Sequence, residues 1–384
     1  MSDPAYTIVT LAVQKSGGGP TKTIGAFKRA LAAELYSFCD PNRLKEDPLS
    51  VPGVNPVNAM QLPFAREFML PSRQSAHDAE QACADSNMIS CHSFYRYHTL
   101  WMNRIYKKYG TPYWFVPHVI LDPWVLEYRR LQKRLFWAAG GKSFLEDAAT
   151  VIFSTSAERD KAKSQFDLPA SEVIPWPVEL VDCTLRNERR CEMRKALNIT
   201  EDAKVLLYFG RLHSMKRPLE TIRAIASGGD ENLHLLVVGN EQNVSLQDCY
   251  AVANELNVSK RVHLIGPVYG EKKYDYLMAS DAYISLSHRE NFNHTAAESL
   301  SAGLPLILSP GNDLQGDIHV ERCSWGLIDN EIKSASNAVD EFAQATFQDL
   351  EAMGSRGRAW VADNLQFSTF QERINAIAAK YGRE

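Results

Sequence analysis

The sequence predicts an α/β protein of two domains, each built on a parallel β-sheet covered by helices. The chain has 384 residues, which exceeds the ~250 to 300 residues at which a single hydrophobic core usually stops growing. Short apolar runs alternate with longer helical patterns along most of the chain, as is typical of parallel sheets with helices on both faces. The content of 45% hydrophobic and 23% charged residues agrees with an ordinary globular protein.

Strands are predicted where short apolar runs precede loops rich in Gly, Ser, His or Pro. In the first half of the chain these runs are Tyr6–Val13, Asn87–Cys91, Tyr113–Val116 and Thr150–Ser154. In the second half they are Lys204–Phe209, Leu233–Val238, Val262–Ile265, Ala282–Leu286 and Leu304–Leu308. Apolar spacing predicts helices near Leu219–Ala226, Leu246–Leu256, Lys272–Met278 and Thr295–Ala302.

The break between the halves is predicted at Pro175-Trp176-Pro177, because two prolines so close together cannot continue a helix or a central strand. We therefore predict a first domain over residues 1–180 and a second over residues 181–365. The final residues 366–384 have apolar side chains at helical spacing, from Phe370 to Tyr381. This last helix could pack back on the first domain.

Charge and cysteine content exclude several classes of function. The formal net charge of -4 gives no support for nucleic-acid binding, which usually needs a strongly basic face. Seven cysteines are odd in number and lack metal-site spacing, so we expect reduced thiols.

No signal peptide and no apolar run of ~18 residues is apparent. We therefore expect a cytoplasmic protein, with peripheral contact to the inner face of the membrane left open.

Ser287–Pro305 is the most informative segment, because it follows a predicted strand and continues into a predicted helix. Backbone N–H groups at a helix N-terminus lack partners within the helix and, with the helix dipole, suit a diphosphate. Glu290 lies in the loop before the helix, and Glu298 lies about one turn inside it. Carboxylates can accept hydrogen bonds from ribose and hexose hydroxyls. For either glutamate alone, a solvated side chain is the simpler explanation.

Two further loops follow predicted strands. Gly210–Pro218 carries Arg211 and Lys216, which can converge on one diphosphate, although basic loops more often face solvent. The glycine run in Lys15–Lys22 permits close approach of a ligand to the backbone. It does not have the spacing of a P-loop or of the dinucleotide-binding fingerprint.

Together these segments resemble retaining family 4 glycosyltransferases of the GT-B fold. Ser287–Pro305 is similar to the E-x7-E element of that family, with Asn293 where Gly is usual, and Gly210–Lys216 resembles its G-R-x-x-x-x-K loop. Residues 116–124 resemble the P-H-G-x-L-D-P-W loop of bacterial polysaccharide transferases, with Val119 in place of Gly. The resemblance runs from about residue 6 to 364. It implies two Rossmann-like domains facing across a deep cleft, with the acceptor side in the first domain and the nucleotide-sugar site in the second.

The resemblance also implies roles for individual residues. His118 and Glu290 are expected to be catalytic, with Glu290 contacting hydroxyls of the donor sugar. Glu298 is expected to bind ribose, and the Val268 backbone the base. The full set expected to bind the nucleotide sugar is Gly18, Gly19, Arg211, Lys216, Val268, Asn291, Phe292, Asn293, His294, Thr295 and Glu298. His92, at a similar strand end, is a further candidate on the acceptor side.

The implied reaction is transfer of a hexose, with retention, from a nucleotide sugar to a saccharide or lipid-linked saccharide in cell-surface polysaccharide synthesis. UDP-glucose is the expected donor. No metal or other cofactor is expected, because Arg211, Lys216 and the helix N-terminus can stabilise the negative charge of the leaving diphosphate. Alternatives left open are a sugar-nucleotide epimerase or phosphorylase on the same fold, and a non-catalytic nucleotide-binding scaffold.

One segment of the first half suggests contact with a membrane. Basic residues alternate there with apolar ones, namely Arg129, Arg130, Lys133 and Arg134 with Leu126, Leu131, Leu135 and Phe136. Such a basic amphipathic stretch is typical of helices that lie on anionic membranes. A helix packed on its own sheet is the alternative.

Overall fold

A computed structural model describes residues 5–11, 13–14, 18–47, 50–60, 68–127, 129–227, 230–318 and 322–383. The chain divides into two compact units, one of residues 1–177 with 367–384 and one of residues 178–366. Each unit is built on one parallel sheet with helices packed against it. The predicted fold class, two α/β domains with parallel sheets, is confirmed.

The first unit contains a sheet of seven strands within the described residues, in the order β3-β2-β1-β4-β5-β6-β7. Its strands are β1 (Tyr6–Leu11), β2 (Glu34–Cys39), β3 (Val54–Asn58), β4 (Met88–His92), β5 (Tyr113–Val116), β6 (Thr150–Phe153) and β7 (Ser171–Val173). Its helices are α1 (Gly19–Leu31), α2 (Arg43–Glu46), α3 (Arg73–Asp85), α4 (Tyr97–Tyr109), α5 (Pro123–Glu127), α6 (Arg130–Phe136), α7 (Lys142–Glu146), α8 (Ser156–Lys163) and, from the end of the chain, α17 (Phe367–Tyr381). A π-helical turn, Trp137–Gly141, joins α6 to α7.

The second unit contains a sheet of six strands in the described part of the chain, in the order β10-β9-β8-β11-β12-β13. Its strands are β8 (Lys204–Phe209), β9 (Leu233–Val238), β10 (Val262–Gly266), β11 (Ala282–Ser285), β12 (Leu306–Leu308) and β13 (Ser324–Gly326). Its helices are α9 (Arg186–Ala196), α10 (Pro218–Ala226), α11 (Leu246–Glu255), α12 (Lys272–Ala279), α13 (His294–Ser301), α14 (Leu314–Ile318), α15 (Ile332–Gln344) and α16 (Phe347–Asn364).

The final helix completes the core of the first unit. Phe370 of α17 packs edge-on against Phe27 of α1, with ring centroids 5.1 Å apart. The guanidinium of Arg29 lies 3.5 Å from the ring centre of Phe367, and Gln371 donates a hydrogen bond to the carbonyl oxygen of Ala30. Burial of these aromatic rings stabilises the position of α17 on α1.

Four strands, β2, β3, β7 and β13, were not predicted. Three of them lie at sheet edges. β3 contains Pro56, which breaks a strand pattern, while β7 and β13 have three residues each and are too short to show one. The spacing of Leu35 from Ile24, Phe27 and Leu31 predicts one continuous helix face, and this prediction is wrong. Ala32 adopts φ 48° and ends α1, so Leu35 lies in β2.

Candidate functional site

The strand order of the second unit places both predicted motifs at one crevice. The chain moves outward in opposite directions from β8 and β11, which are neighbours at the centre of the sheet. Loops that follow two such strands diverge and leave a crevice at their carboxyl ends, where open α/β sheets bind ligands. The loop after β8 carries Arg211 and Lys216, and the loop after β11 carries Glu290. The structure therefore brings these two segments together.

Lys216 and Glu290 are in direct contact across this crevice. The Lys216 ammonium pairs with the Glu290 carboxylate, and each side chain is 17% exposed. The two loops are also joined by their backbones, since the His288 N–H donates to the carbonyl oxygen of Met215 over 2.9 Å. Burial, followed by the positive charge of Arg211, lowers the pKa of Lys216 to about 7, whereas contact with Glu290 favours the charged form.

Arg211 and the turn before Lys216 are fixed by the neighbouring loop after β9. Arg211 is exposed, and its guanidinium donates to Gln242 Oε1 over 3.3 Å. The Ser214 N–H donates to Asn243 Oδ1, and Asn243 Nδ2 donates back to Ser214 Oγ, both over 2.9 Å. This reciprocal pair holds the Ser214–Lys216 turn, so that two cations are presented at the end of β8.

A glycine contact allows these loops to pack so closely. A Cβ atom on Gly239, which follows β9, would lie 1.7 Å from the carbonyl oxygen of Gly210. No side chain fits in that space, so glycine is required for the loop after β9 to approach the start of the Arg211 loop.

The start of α13 is built around Asn293. Asn293 adopts φ 51°, a left-handed conformation that asparagine tolerates better than most residues other than glycine. Its Oδ1 accepts from the Ala296 N–H over 3.2 Å, and so caps the helix. Its Nδ2 donates to Asn312 Oδ1 over 2.7 Å and to Ser285 Oγ over 3.2 Å. Asn293 is buried, so its side chain serves the local structure of the loop.

Asn312 organises the centre of this region and was missed by sequence reasoning. Its buried Nδ2 donates to the carbonyl oxygen of Ser285 over 3.0 Å and to Ser309 Oγ over 3.0 Å. The Glu290 N–H donates to the carbonyl oxygen of Gly311 over 2.7 Å, and the Glu290 carbonyl oxygen accepts from the Asp313 N–H over 2.8 Å. The loop after β12 thus holds the loop that carries Glu290 on both sides.

The other predicted residues around the start of α13 differ in exposure. Phe292 is 1% exposed, and its ring packs against His294 with centroids 5.1 Å apart. Its side chain therefore belongs to the core. Asn291, His294 and Thr295 are partly exposed. Their binding roles stay predictions.

Glu298 lies one turn into α13, as expected, and has a partner that the sequence did not reveal. Lys273 of α12 pairs with the Glu298 carboxylate over 3.0 Å, and both side chains are largely buried. Burial alone would lower the pKa of Lys273, but the charge of Glu298 and their hydrogen bond outweigh it and raise the pKa. Lys273 therefore stays protonated beside the Glu298 carboxylate.

This pairing leads to a test of Glu298. Lys273→Met removes the cation but keeps an apolar stem, so the buried carboxylate loses its charge partner. If Glu298 binds ribose, affinity for UDP should fall ~10-fold or more, since a charge-assisted hydrogen bond contributes roughly 1.5–3 kcal/mol. Calorimetric titration of UDP measures the change. Lys273→Arg should keep most of the affinity for UDP. Equal affinity in the original protein and in both variants would contradict the role given to Glu298.

Val268 lies in the loop after β10 and is partly buried. This loop adjoins the preceding one, because the Gly239 N–H donates to the carbonyl oxygen of Gly266 over 2.8 Å. Base recognition by the Val268 backbone stays a prediction.

The first unit has its own switch point, between β1 and β4. Gly18 follows β1 along the chain, adopts φ 61° and precedes α1, which begins at Gly19. Lys15–Gly17 lie outside the described residues. His92 ends β4, and His118 follows the adjacent strand β5. The predicted residues of this unit thus lie at or beside the strand ends where ligands of such sheets bind.

The backbone around His118 is held in an unusual conformation. His118 and Val119 adopt φ 50° and φ 72°. Positive φ values are uncommon for residues other than glycine. The Val119 N–H donates to Glu158 Oε1 over 2.8 Å, and the other oxygen of this buried carboxylate accepts from Ser154. His118 itself is 8% exposed. Val119 therefore takes the place of the family's glycine in a left-handed backbone conformation.

The described residues contain no cluster of His, Cys, Asp and Glu side chains that could hold a metal ion. Within the same residues, no helix is long and apolar enough to cross a membrane.

Comparison with known families agrees with the geometry. Residues 18–178 match the model of the glycosyl transferase 4-like domain, and residues 189–360 match that of glycosyl transferases group 1. The chain carries the two domains of a glycosyltransferase. The predicted fold, a pair of Rossmann-like domains of the GT-B type, is thereby confirmed.

This glycosyltransferase is similar to several characterised proteins. D-inositol 3-phosphate glycosyltransferase of Actinosynnema mirum is 22% identical over 300 residues, which are 73% of this chain and 72% of that protein. The structure of Anabaena HepE in complex with UDP-glucose matches with a TM-score of 0.73 and 15% identity over 97% of this chain and 99% of that one. Sucrose-phosphate synthase of Thermosynechococcus elongatus matches with a TM-score of 0.73 and 17% identity, over 98% of both chains.

Proposed function

We propose that the glycosyltransferase transfers a hexose from UDP-glucose, with retention of configuration, to a saccharide or lipid-linked saccharide. One observation carries the proposal: the switch point of the second sheet brings Arg211, Lys216 and Glu290 to one crevice. Two cations beside a carboxylate match the two parts of a nucleotide sugar. The cations suit its diphosphate, and the carboxylate suits hydroxyls of its hexose.

The relatives support this choice of donor. HepE, a structural neighbour, was solved in complex with UDP-glucose. The relative from Actinosynnema mirum is a D-inositol 3-phosphate glycosyltransferase. For this chain we propose a growing cell-surface polysaccharide as the acceptor.

Each of these residues has a separate role in the proposed reaction. Arg211, Lys216 and the N-terminus of α13 stabilise the negative charge that develops on the departing UDP. The diphosphate leaves from one face of the sugar and helps to deprotonate the incoming acceptor hydroxyl, which attacks the same face. Glu290 and His118 position the sugar and stabilise its positive charge. No metal ion is required in this scheme.

The proposed donor can be tested by titrating UDP-glucose, UDP-galactose, UDP-N-acetylglucosamine and GDP-mannose by calorimetry. We expect UDP-glucose to bind most tightly and to lose affinity in the Arg211→Ala variant. Exposed Lys260 in the same unit provides the control Lys260→Ala, which should bind like the original protein. Preference for another nucleotide sugar would change the assigned donor, and no binding by any of them would contradict the proposal.

We further propose that the first unit makes peripheral contact with an anionic membrane. The predicted basic stretch is divided by Arg129, at φ 51°, into the short helices α5 and α6. Leu131 and Leu135 are 71% and 64% exposed and lie one turn apart on α6, and Trp124 of α5 is 54% exposed. Arg130 and Arg134 are exposed one turn apart on the same helix. Exposed apolar groups beside arginines suit an interface rich in anionic headgroups.

Phe136 and Lys133 of the predicted stretch are held by contacts within their own unit. Phe136 is buried, and its ring lies 5.2 Å from that of Phe94. Lys133 donates to the carbonyl oxygen of Val125, and burial lowers its pKa. Part of the stretch thus packs on its own unit, and the proposed membrane surface is limited to Trp124, Arg130, Leu131, Arg134 and Leu135.

Sedimentation with vesicles tests this surface. The protein should bind vesicles that contain phosphatidylglycerol, bind pure phosphatidylcholine weakly, and dissociate at high salt. Arg130→Gln with Arg134→Gln should weaken binding ~10-fold or more, since each basic residue near the surface contributes about 1 kcal/mol. The matched control is Lys107→Gln with Lys163→Gln, at exposed positions of α4 and α8. Equal binding to vesicles with and without phosphatidylglycerol would contradict the proposal.

A further inference from the structure

We infer that His92 is a positioning residue that fixes the ring tautomer of His118, whose action on the donor sugar rests on the proposed function. A line of hydrogen bonds connects buried side chains of β4 and β5. Trp114 Nε1 lies 2.5 Å from Ser90 Oγ, Ser90 Oγ lies 2.9 Å from His92 Nε2, and His92 Nδ1 lies 3.0 Å from His118 Nε2.

The register of the parallel strands produces this line. Ser90 of β4 pairs with Trp114 of β5, and His92 pairs with Val116. Ser90 and His92 are two residues apart, so their side chains share one face of the sheet. His118 follows shortly after β5, where its left-handed backbone and the hydrogen bond from Val119 to Glu158 hold the loop.

Chemistry assigns a direction to each hydrogen bond. An indole N–H can only donate, so Ser90 Oγ accepts from Trp114. Ser90 is buried, and His92 Nε2 is the one acceptor within reach of its hydroxyl among the described residues, so the hydroxyl hydrogen points to His92 Nε2. Burial, and then the nearby His118 and His98, lower the pKa of His92 well below its usual value, so its ring is neutral. A neutral imidazole whose Nε2 accepts carries its hydrogen on Nδ1. His92 therefore donates from Nδ1 to His118 Nε2.

The consequence for His118 is specific. Its Nε2 serves as an acceptor, so the ring hydrogen of neutral His118 is on Nδ1. The ring centroids lie 5.3 Å apart, with an angle of 24° between the ring planes, so the rings meet edge to edge through this hydrogen bond. His92 is completely buried and His118 nearly so. Both the tautomer and the orientation of His118 are thus set from within the first unit.

A second histidine pair of the same geometry provides a matched control. His234 Nδ1 lies 3.0 Å from His263 Nε2, and the ring centroids are 5.2 Å apart with an angle of 27° between the ring planes. This pair bridges β9 and β10 and includes no predicted site residue. A change at His234 removes the same kind of hydrogen bond without affecting His118.

Nitrogen-15 NMR of the histidine rings tests the inference in the complete protein. In the original protein, His118 should show a protonated Nδ1 and an unprotonated Nε2. His92→Asn places an amide N–H near the position of Nδ1 and should keep this tautomer, whereas His92→Leu should allow His118 to exchange between tautomers. A protonated Nε2 in His118 of the original protein would overturn the inference, whatever the variants do.

Transfer assays supply the functional readout. His92→Leu should lower kcat about 10- to 100-fold, the range seen when a hydrogen bond that orients an active histidine is lost. His92→Asn should recover most of this loss, and His234→Leu should leave kcat unchanged. Equal loss in the Asn and Leu variants would show a packing role and overturn the inference. If the tautomer is as inferred but His118→Ala transfers sugar at the full rate, the positioning by His92 stands and the proposed role of His118 fails.

Discussion

Glu290→Gln is expected to lower kcat by about 100- to 1,000-fold, the effect of removing one preorganised group that stabilises charge in a transition state. Glu290 sits beside Lys216 in the loop after β11, and its backbone is held on both sides by Gly311 and Asp313. As UDP departs, the sugar ring becomes positive, and a fixed carboxylate then contributes more than in the ground state. Donor binding should change little.

Glu298→Gln is expected to raise KM rather than to lower kcat. Glu298 lies one turn into α13 and pairs with Lys273, so it suits ribose hydroxyls that do not change during the reaction. Loss of this interaction affects ground state and transition state alike, which raises KM by ~10-fold or more and leaves kcat nearly unchanged. Measurement of both constants in both variants separates the roles. Glu255→Gln, at an exposed position of α11, is the control, and a reversed pattern would mean that the roles of Glu290 and Glu298 are exchanged.

Replacing either of the two cations proposed to bind the diphosphate should lower kcat/KM ~10- to 150-fold. Arg211→Ala and Lys216→Ala each remove a charge-assisted hydrogen bond of roughly 1.5–3 kcal/mol. Arg211 is exposed, so its loss should leave the fold intact.

The Lys216 variant also leaves Glu290 without its cation, so its effect should exceed that of Arg211→Ala. Steady-state kinetics with UDP-glucose, together with thermal unfolding of each variant, make the comparison. Full activity in either variant would show that the leaving group lies elsewhere.

The sequence predicts the central strands and the loops after them, because buried parallel strands are continuous apolar runs. β8, β9, β10 and β11 all begin where the apolar pattern placed them. The predictable part of the site is the part that lies within one loop, such as Arg211 with Lys216. The strand order, which places β8 beside β11, is then sufficient to bring Lys216 to Glu290.

Partners that come from other elements could not be predicted in this way. Lys273 reaches Glu298 from α12, and Asn312 reaches Asn293 from the loop after β12. Each looks like an ordinary polar residue of its own segment. His92 was a candidate for the acceptor, but the structure shows its Nδ1 directed to His118 and its Nε2 to Ser90. Side-chain hydrogen bonds across the sheet depend on strand register, which a single sequence does not specify.

The most direct test of this account follows UDP-glucose labelled with carbon-13 by NMR in the presence of candidate saccharide acceptors. The account predicts UDP release together with a new glucosyl linkage of α configuration, the configuration of the donor. A β-linked product would contradict retention. An epimerised nucleotide sugar or a free sugar phosphate would indicate one of the alternative enzymes of this fold. Binding of UDP-glucose without turnover with any acceptor would contradict the central claim that this protein is a transferase.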